Sequence, residues 1–201
     1  MKNVIMGLLL AQAAIVGGTA LAAGQEGARS GTSVDASYRA QLLALAEADQ
    51  KIREQMRGAF TVQQLQANQG AAKDMVKRMV ASQKQNQQAL AALIERHGFP
   101  DIARAGEDGA HAGFLVAQHA TDLVFRERFL QQMEQAAAQG HYDRSDLALF
   151  VDRNLVMSGK PQRYGTQHKA DGSLFEVEDP GRLEQRRAEA GLPRDAAPGG
   201  S

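Results

Sequence analysis

The sequence predicts a mainly α-helical fold: a compact bundle of about five helices with one β-hairpin near the C-terminus. Three observations predict it. Ala and Gln are abundant while aromatic residues make up only 5% of the 201 residues, a composition that favours helices. Apolar residues recur at helical spacing along several long segments. Alternation at strand spacing occurs near the C-terminus, where Gln162 to Lys169 is followed by the turn 170–173 and by Leu174 to Val177.

Charge and cysteine content exclude several classes of function. Lys plus Arg and Asp plus Glu both number 23, so no overall field attracts nucleic acid or an anionic membrane. The chain has no Cys, which excludes disulfides, thiol catalysis and a lipid-modified cysteine. A hydrophobic content of 43% is sufficient for an ordinary core, and the length suits a single domain.

The N-terminus has the pattern of a secretory signal peptide. Lys2 precedes an uncharged stretch over residues 3–25, which contains the small-x-small sequence Ala20-Leu21-Ala22. The alternative is an uncleaved anchor, because a spanning helix needs about 20 apolar residues. We expect a periplasmic or secreted protein, with no stable membrane insertion after cleavage. The expected organisation is a signal peptide at 1–22, a flexible lead-in at 23–33, a single helical domain at 34–192 and a disordered tail at 193–201.

Two charged residues lie on the apolar stripe of the first predicted helix. This helix spans about Val34 to Met56, with Ser33 or Asp35 near its N-cap. Asp49 and Arg53 are four residues apart on the face that carries the core leucines. The functional interpretation places them in a binding site, and the structural alternative is an ion pair at the edge of the core.

The next predicted helices place a histidine beside polar residues. A second helix runs from about 62 to 96 and ends at His97-Gly98-Phe99-Pro100. A third begins near Ala110 and carries Gln118, His119 and Asp122. Because residues three apart share a helix face, Asp122 is a candidate to fix the tautomer of a catalytic His119. The alternative is a histidine satisfied within the core.

The stretch from Asp152 to His168 is the strongest candidate for a site. An apolar helix ends in Asp152 and Arg153, and Gly159-Lys160-Pro161 is expected to stop it. A last helix is expected from Gly181 to Ala190, with its arginines on a solvated face, although Arg187 is a candidate to reach back to the site.

The sequence contains none of the common motifs for metal binding, nucleophilic serine catalysis or phosphate binding. Its five His residues do not form a His-Glu-x-x-His motif, and neither a Gly-x-Ser-x-Gly elbow nor a phosphate-binding glycine loop is present. We therefore predict no metal and no cofactor. Arg153, Lys160 and Arg163 remain candidates to hold an anionic group.

Several separated blocks carry a resemblance to a known family. They are Asp49-Gln50 with Arg53; Asn86; His97 to Pro100; Gly106; Phe114; Gln118 to Ala120; Leu147-Ala148; Asp152-Arg153; Gly159; Gln162; Tyr164 to Gln167; Arg187; and Gly191-Leu192. These blocks cover most of the mature chain, and Tyr-Gly-Thr-Gln after Asp-Arg is the most specific. Together they resemble a bacterial family, the domain of unknown function numbered 6624. This chain departs from the family pattern at Gln83, Phe99, Phe114 and Arg126, where Asp, Trp, Trp and Gln are expected. The resemblance implies the fold and one shared polar pocket but no reaction.

These residues lead to three hypotheses. The first is a hydrolase or transferase in which His119 is the general base or acid, Arg153 stabilises an anionic group and Tyr164 orients the substrate. The second is a non-catalytic binding module for an unknown small molecule or a component of the cell envelope. The third is a buried ionic network that only fixes helix register. The expected binding residues are Gln118, Asp152, Gln162, Thr166, Gln167, Asp49 and Arg53.

Overall fold

The computed structural model describes residues 34–59 and 69–193, and within them it is mainly helical, as predicted. The expected signal peptide, the lead-in and residues 194–201 of the expected tail lie outside the described residues. None of the described helices is both long enough and apolar enough to cross a membrane. The helices in these ranges are α1 (Ala36–Ala59), α2 (Gln69–His97), α3 (Ile102–Ala117), α4 (Leu123–Ala138), α5 (Arg144–Met157) and α6 (Leu183–Glu189), the last preceded by a 3₁₀ turn, Pro180–Arg182.

The start of α1 is fixed by Asp35, one of the two expected caps. Its carboxylate accepts a hydrogen bond from the backbone N–H of Tyr38 at 2.9 Å, which satisfies a donor that the helix itself leaves unpaired. The other candidate, Ser33, lies outside the described residues. The apolar stripe of α1 then packs chiefly along α3 and also along α2.

The end of α2 is confirmed at His97. Gly98 follows with φ of +86°, a left-handed conformation that residues with a Cβ adopt with strain. The Tyr38 hydroxyl donates to the carbonyl of Gly98 at 2.9 Å, and the Tyr38 ring stacks on His97 with 4.6 Å between centroids. This turn therefore joins the end of α2 to the first turn of α1.

The helix predicted to carry both His119 and Asp122 is two helices. Ala117 ends α3, and Asp122 is the N-cap of α4, where its carboxylate accepts from the backbone N–H groups of Val124 and Phe125. The Asp122 carboxylate is therefore used at the start of α4, and the expected pairing with His119 is wrong. His119 lies in the short connection between the helices.

The core lies between α1, α2, α3, α4 and α5 and contains a cluster of aromatic rings. Phe129 contacts both Phe99 and Phe150 edge to face, with ring centroids 5.0 and 5.5 Å apart, and Phe114 packs on Phe150 in the same way at 6.3 Å. Such geometries let the positive edge of one ring meet the negative face of another. The apolar run from Gly113 to Ala117 also lies in this core.

The predicted C-terminal β-hairpin is not confirmed. Between residues 69 and 193 the structure contains no strand, and the segment expected to form the hairpin makes two isolated bridges, Gln162 with Val177 and His168 with Leu174. The backbone N–H groups of residues 163, 164 and 166 donate instead to the side chain of Asp152. A strand ladder needs those donors, so the carboxylate replaces it.

Candidate functional site

A buried carboxylate joins three parts of the fold. The Asp49 Oδ2 atom of α1 lies 2.5 Å from the Nδ1 atom of His119 and accepts from Arg53 Nε at 3.0 Å. Its Oδ1 atom accepts from Asn86 Nδ2 of α2 at 3.2 Å. The side chains of Asp49 and His119 are each 1% exposed. We call these four residues the Asp49 centre.

The electrostatics of the centre set the protonation of the pair. Burial opposes ionisation of Asp49, but the hydrogen bond from His119 and the charge and hydrogen bond of Arg53 outweigh it and lower the pKa of Asp49 below 3.8. Burial also lowers the pKa of His119 well below 6.5, against the opposing effect of Asp49. At neutral pH the carboxylate is therefore charged and the imidazole neutral. Nδ1 carries the proton that it donates to Asp49, and Nε2 carries the lone pair.

Arg153 connects α5 to the connection that holds His119. Its Nε atom donates to the carbonyl of Gln118 at 2.7 Å, and the residue is 4% exposed. Burial, together with the positive charges of Arg126 and Arg53, lowers the pKa of Arg153 to about 9, and the charge of Asp49 opposes this shift. The guanidinium of Arg153 therefore lies within electrostatic reach of two other arginines and of Asp49. The expected binding residue Gln118 contributes its backbone carbonyl here.

Arg126 of α4 belongs to the same region, although it was not expected among the site residues. It is fully buried, its Cζ atom lies 5.7 Å from the ring centroid of Phe150, and its Nη1 atom contacts Met157. Burial alone lowers its pKa to about 10. Within the described residues, its Nε and Nη2 atoms have no hydrogen-bond partner. Arg126 lies three residues before buried Phe129 and seven before buried Met133. A charge on an apolar stripe was therefore the sequence signal that could have identified Arg126 as a site residue.

The expected residues around Asp152 form a second polar group. Asp152 is fully buried on α5 and accepts from the backbone N–H groups of Arg163, Tyr164 and Thr166 at 2.7–3.1 Å. The Thr166 hydroxyl donates to the same carboxylate at 2.9 Å. Because one carboxylate satisfies three backbone donors, it determines the path of residues 162–167. We call this segment the Asp152 loop.

Three further side chains stabilise the Asp152 loop. Buried Gln162 donates from Nε2 to the carbonyls of Gln167 and Phe175 at 2.9 and 3.0 Å, and its Oε1 atom accepts from the Gln167 N–H at 2.8 Å. Gln167 Nε2 donates to the Thr166 hydroxyl at 3.1 Å. Arg187 of α6, which was a candidate to reach back, is 6% exposed and donates to the Tyr164 carbonyl at 2.7 Å.

The hydrogen bonds thus sort the ten expected site residues into two groups on either side of the Asp152-Arg153 pair. The Arg153 side chain donates a hydrogen bond to the connection before α4, and the Asp152 side chain accepts hydrogen bonds from the Asp152 loop. The Asp49 centre and Arg153 are closed to solvent, while Tyr164 is partly exposed. The first group holds Asp49, Arg53, Gln118, His119 and Arg153; the second holds Asp152, Gln162, Tyr164, Thr166 and Gln167.

A cavity of about 420 Å³ lies elsewhere, between the start of α3, the start of α5 and the end of α6. It is open to solvent, and its lining includes Tyr142, Asp143 and Glu189 but none of the expected site residues. Over residues 34–59 and 69–193, no group of three or more His, Asp or Glu side chains is placed to hold a metal ion.

Comparison with known proteins identifies a family but no reaction. The chain matches no curated protein and no solved structure. The model of a family of unknown function, DUF6624, matches residues 36–196. That range includes all six described helices, the Asp49 centre and the Asp152 loop. The chain therefore belongs to the DUF6624 family.

Proposed function

We propose that the protein is a hydrolase or transferase with His119 as its general base. The observation that supports this most is the 2.5 Å contact between Asp49 Oδ2 and His119 Nδ1 in a buried, cationic environment. A carboxylate at Nδ1 holds the imidazole in the tautomer whose Nε2 accepts a proton, which is the arrangement that general-base catalysis requires. Arginine side chains on nearby helices supply positive charge, which stabilises the negative charge that develops on the substrate.

In this proposal each group has a distinct role. Asp49 positions the ring, and Asn86 holds the other carboxylate oxygen. Arg153 stabilises negative charge on the substrate, and Tyr164 and Gln167 at the Asp152 loop orient it. Asp152 and Gln162 act as positioning residues, because their polar atoms bind the backbone of that loop.

A second candidate is a non-catalytic binding module of the cell envelope. The burial of the Asp49 centre favours it, since His119 is only 4% exposed and turnover requires the entry of substrate and the release of product. A small ligand retained in a closed site needs neither step at high frequency. In both cases we propose a chain that is exported to the periplasm or secreted after cleavage behind Ala22, on the basis of the uncharged stretch at residues 3–25.

A pair of histidine variants tests the catalytic proposal. In His119→Asn the side-chain amide still reaches Asp49 in place of Nδ1, but no base replaces Nε2. His111→Asn is the matched control, because Nδ1 of His111 also contacts a carboxylate, that of Asp146 at 2.7 Å, with a half-exposed side chain. The purified proteins are assayed with chromogenic carboxylic esters, glycosides and phosphate mono- and diesters.

General-base catalysis predicts that His119→Asn lowers kcat by roughly 100-fold or more, with a melting temperature within a few degrees of the parent protein. His111→Asn is expected to retain full activity. Equal rates for the parent and the His119 variant would exclude His119 as the base. An absence of turnover with every substrate class would favour the binding module.

A further inference from the structure

Three arginines and one aspartate make the region around the Asp49 centre electrically unbalanced. The charges of Arg53 and Arg126 both act on Arg153, and Asp49 opposes them. Among the described residues, the one ion pair recorded for these three guanidinium groups is that of Arg53 with Asp49. Since His119 is neutral, three positive charges face one negative charge.

Neighbouring acidic groups are not placed to pair with Arg126 or Arg153. Asp152 is next to Arg153 in sequence, but no ion pair joins them among the described residues, and the Asp152 oxygens accept from four hydrogen-bond donors of the Asp152 loop. The segment that connects α1 to α2, residues 60–68, contains no Asp or Glu in its sequence. A buried charge without a counter-ion is strongly unfavourable, so the two guanidinium groups that lack an ion pair call for a negative partner.

Arg126 is the group with unused binding capacity. It is fully buried, and its Nε and Nη2 atoms lack a hydrogen-bond partner in the part of the chain that the structure describes. These two N–H groups belong to the planar fork that binds two oxygens of a phosphate or carboxylate together. The ring of Phe150, 5.7 Å from Cζ, offers a weaker cation–π contact that leaves those donors unused.

We propose that Arg126 and Arg153, with Arg53 nearby, form a binding subsite for a doubly charged oxyanion, the phosphate group of a monoester substrate. This inference rests on the proposed function, because it names the substrate class of the same site. A dianion matches the two uncompensated charges, and its oxygens match the two free donors of Arg126. It would also offset the positive charges of Arg53 and Arg153 that lower the pKa of His119, and so make the imidazole a stronger base.

Binding of inorganic phosphate tests the subsite without any assumption about turnover. Calorimetry and melting curves are recorded for the purified full-length protein with sodium phosphate, and with sodium chloride at equal ionic strength. Phosphate at 100 times its Kd is expected to raise the melting temperature by about 5–10 °C, and chloride is expected to have little effect. No heat of binding and no difference from chloride would overturn the proposal.

Arg126→Met locates the binding. The variant fills a similar volume without charge, so it is expected to abolish phosphate binding and to melt at or above the temperature of the phosphate-free parent protein. Arg128→Met, an exposed arginine on the same helix, is the control and is expected to bind as the parent does. Unchanged phosphate binding in Arg126→Met would overturn the assignment.

Arg126→Lys is a second test of the subsite, which applies if Arg126→Met fails to fold. It keeps the charge but loses the fork, and the loss of one charged hydrogen bond predicts a Kd weaker by roughly 10- to 100-fold. An unchanged Kd in this variant would contradict the subsite. Phosphate binding without turnover of any ester would support this inference and refute the catalytic proposal. Turnover of neutral esters without phosphate binding would support the catalytic proposal and refute this inference.

Discussion

Asp49 and His119 are 70 positions apart in the sequence, yet Oδ2 of the first and Nδ1 of the second lie 2.5 Å apart. The contact links α1 to the connection between α3 and α4. It helps to keep the carboxylate charged, while burial keeps the imidazole neutral. Each of the two side chains is 1% exposed, so neither can exchange this partner for water.

Removal of Asp49 is therefore expected to destabilise the fold strongly. Asp49→Ala leaves the donors of Arg53, Asn86 and His119 without their acceptor and adds a further unbalanced positive charge, so we expect a loss of about 3–5 kcal/mol in the free energy of unfolding. The control is Asp108→Ala, whose carboxylate pairs with Arg39 at a site where both side chains are nearly half exposed. A loss of about 1 kcal/mol or less is expected there. Urea unfolding measures both, and equal losses would contradict the prediction.

The neutral His119 predicts sensitivity to acid. Its pKa is lower in the folded chain than its ordinary value of 6.5, so its contribution to stability is fully present above pH 6.5 and is lost as the pH falls toward the folded pKa. Between pH 6.5 and the folded pKa of His119, the free energy of unfolding falls by about 1.4 kcal/mol per pH unit. His119→Asn cannot titrate and should lose less stability over the same interval. Parallel pH profiles of the free energy of unfolding for the two proteins would exclude this origin.

His111 predicts the opposite pH dependence. Its hydrogen bond to Asp146 raises its pKa above 6.5, although burial opposes the shift. The contact therefore stabilises the chain fully below pH 6.5, and its contribution is lost as the pH rises through the folded pKa. The pKa of Asp146 is itself raised, mainly by burial, so the benefit also requires a pH at which that carboxylate is ionised. The melting temperature of His111→Asn should fall further below the parent value at mildly acidic pH than at mildly alkaline pH. A pH-independent difference would contradict this.

The Asp152 carboxylate is expected to control the order of its loop. Asp152→Asn replaces one acceptor oxygen by an amide that faces backbone donors, so we expect a loss of about 2–3 kcal/mol in the free energy of unfolding. Thr166→Val keeps the Asp152 carboxylate and removes the hydroxyl, which donates to Asp152 at 2.9 Å and accepts from Gln167 Nε2 at 3.1 Å; it should cost about 1 kcal/mol. Amide hydrogen exchange should accelerate at residues 163–166 in the first variant more than in the second. Equal protection in both would show that another contact fixes the loop.

Much of the helical architecture was predictable because its determinants are local. Asp35 as a cap and Gly98 and Gly159 as helix ends follow from preferences that operate over a few residues. The pairing of Asp49 with Arg53 is also local, since residues four apart share a helix face. An ion pair at the edge of the core was one of the two interpretations of their spacing, and both residues are buried.

The structure departs from the expectations, or does not confirm them, where a distant group competed with a local one. Asp122 lies three residues from His119, but its carboxylate caps α4, and the partner of His119 comes from α1. The alternating pattern after Gln162 predicted strands, but the buried Asp152 carboxylate takes the N–H groups that a ladder needs. Arg126 was missed among the site residues because a single charge on an apolar stripe does not reveal what surrounds it.

By itself the sequence determined that the chain is mainly helical, where several of its helices end, and which polar residues lie on core-facing stripes, because spacing and capping act over one or two turns. Only the tertiary structure decided which of those polar groups meet. It joined Asp49 to His119, placed Arg126 within reach of Arg153, and directed Asp152 to the backbone of its own loop. The physical reason is that a buried charge takes whichever partner the packing of the helices brings to it, and that choice depends on contacts between distant segments.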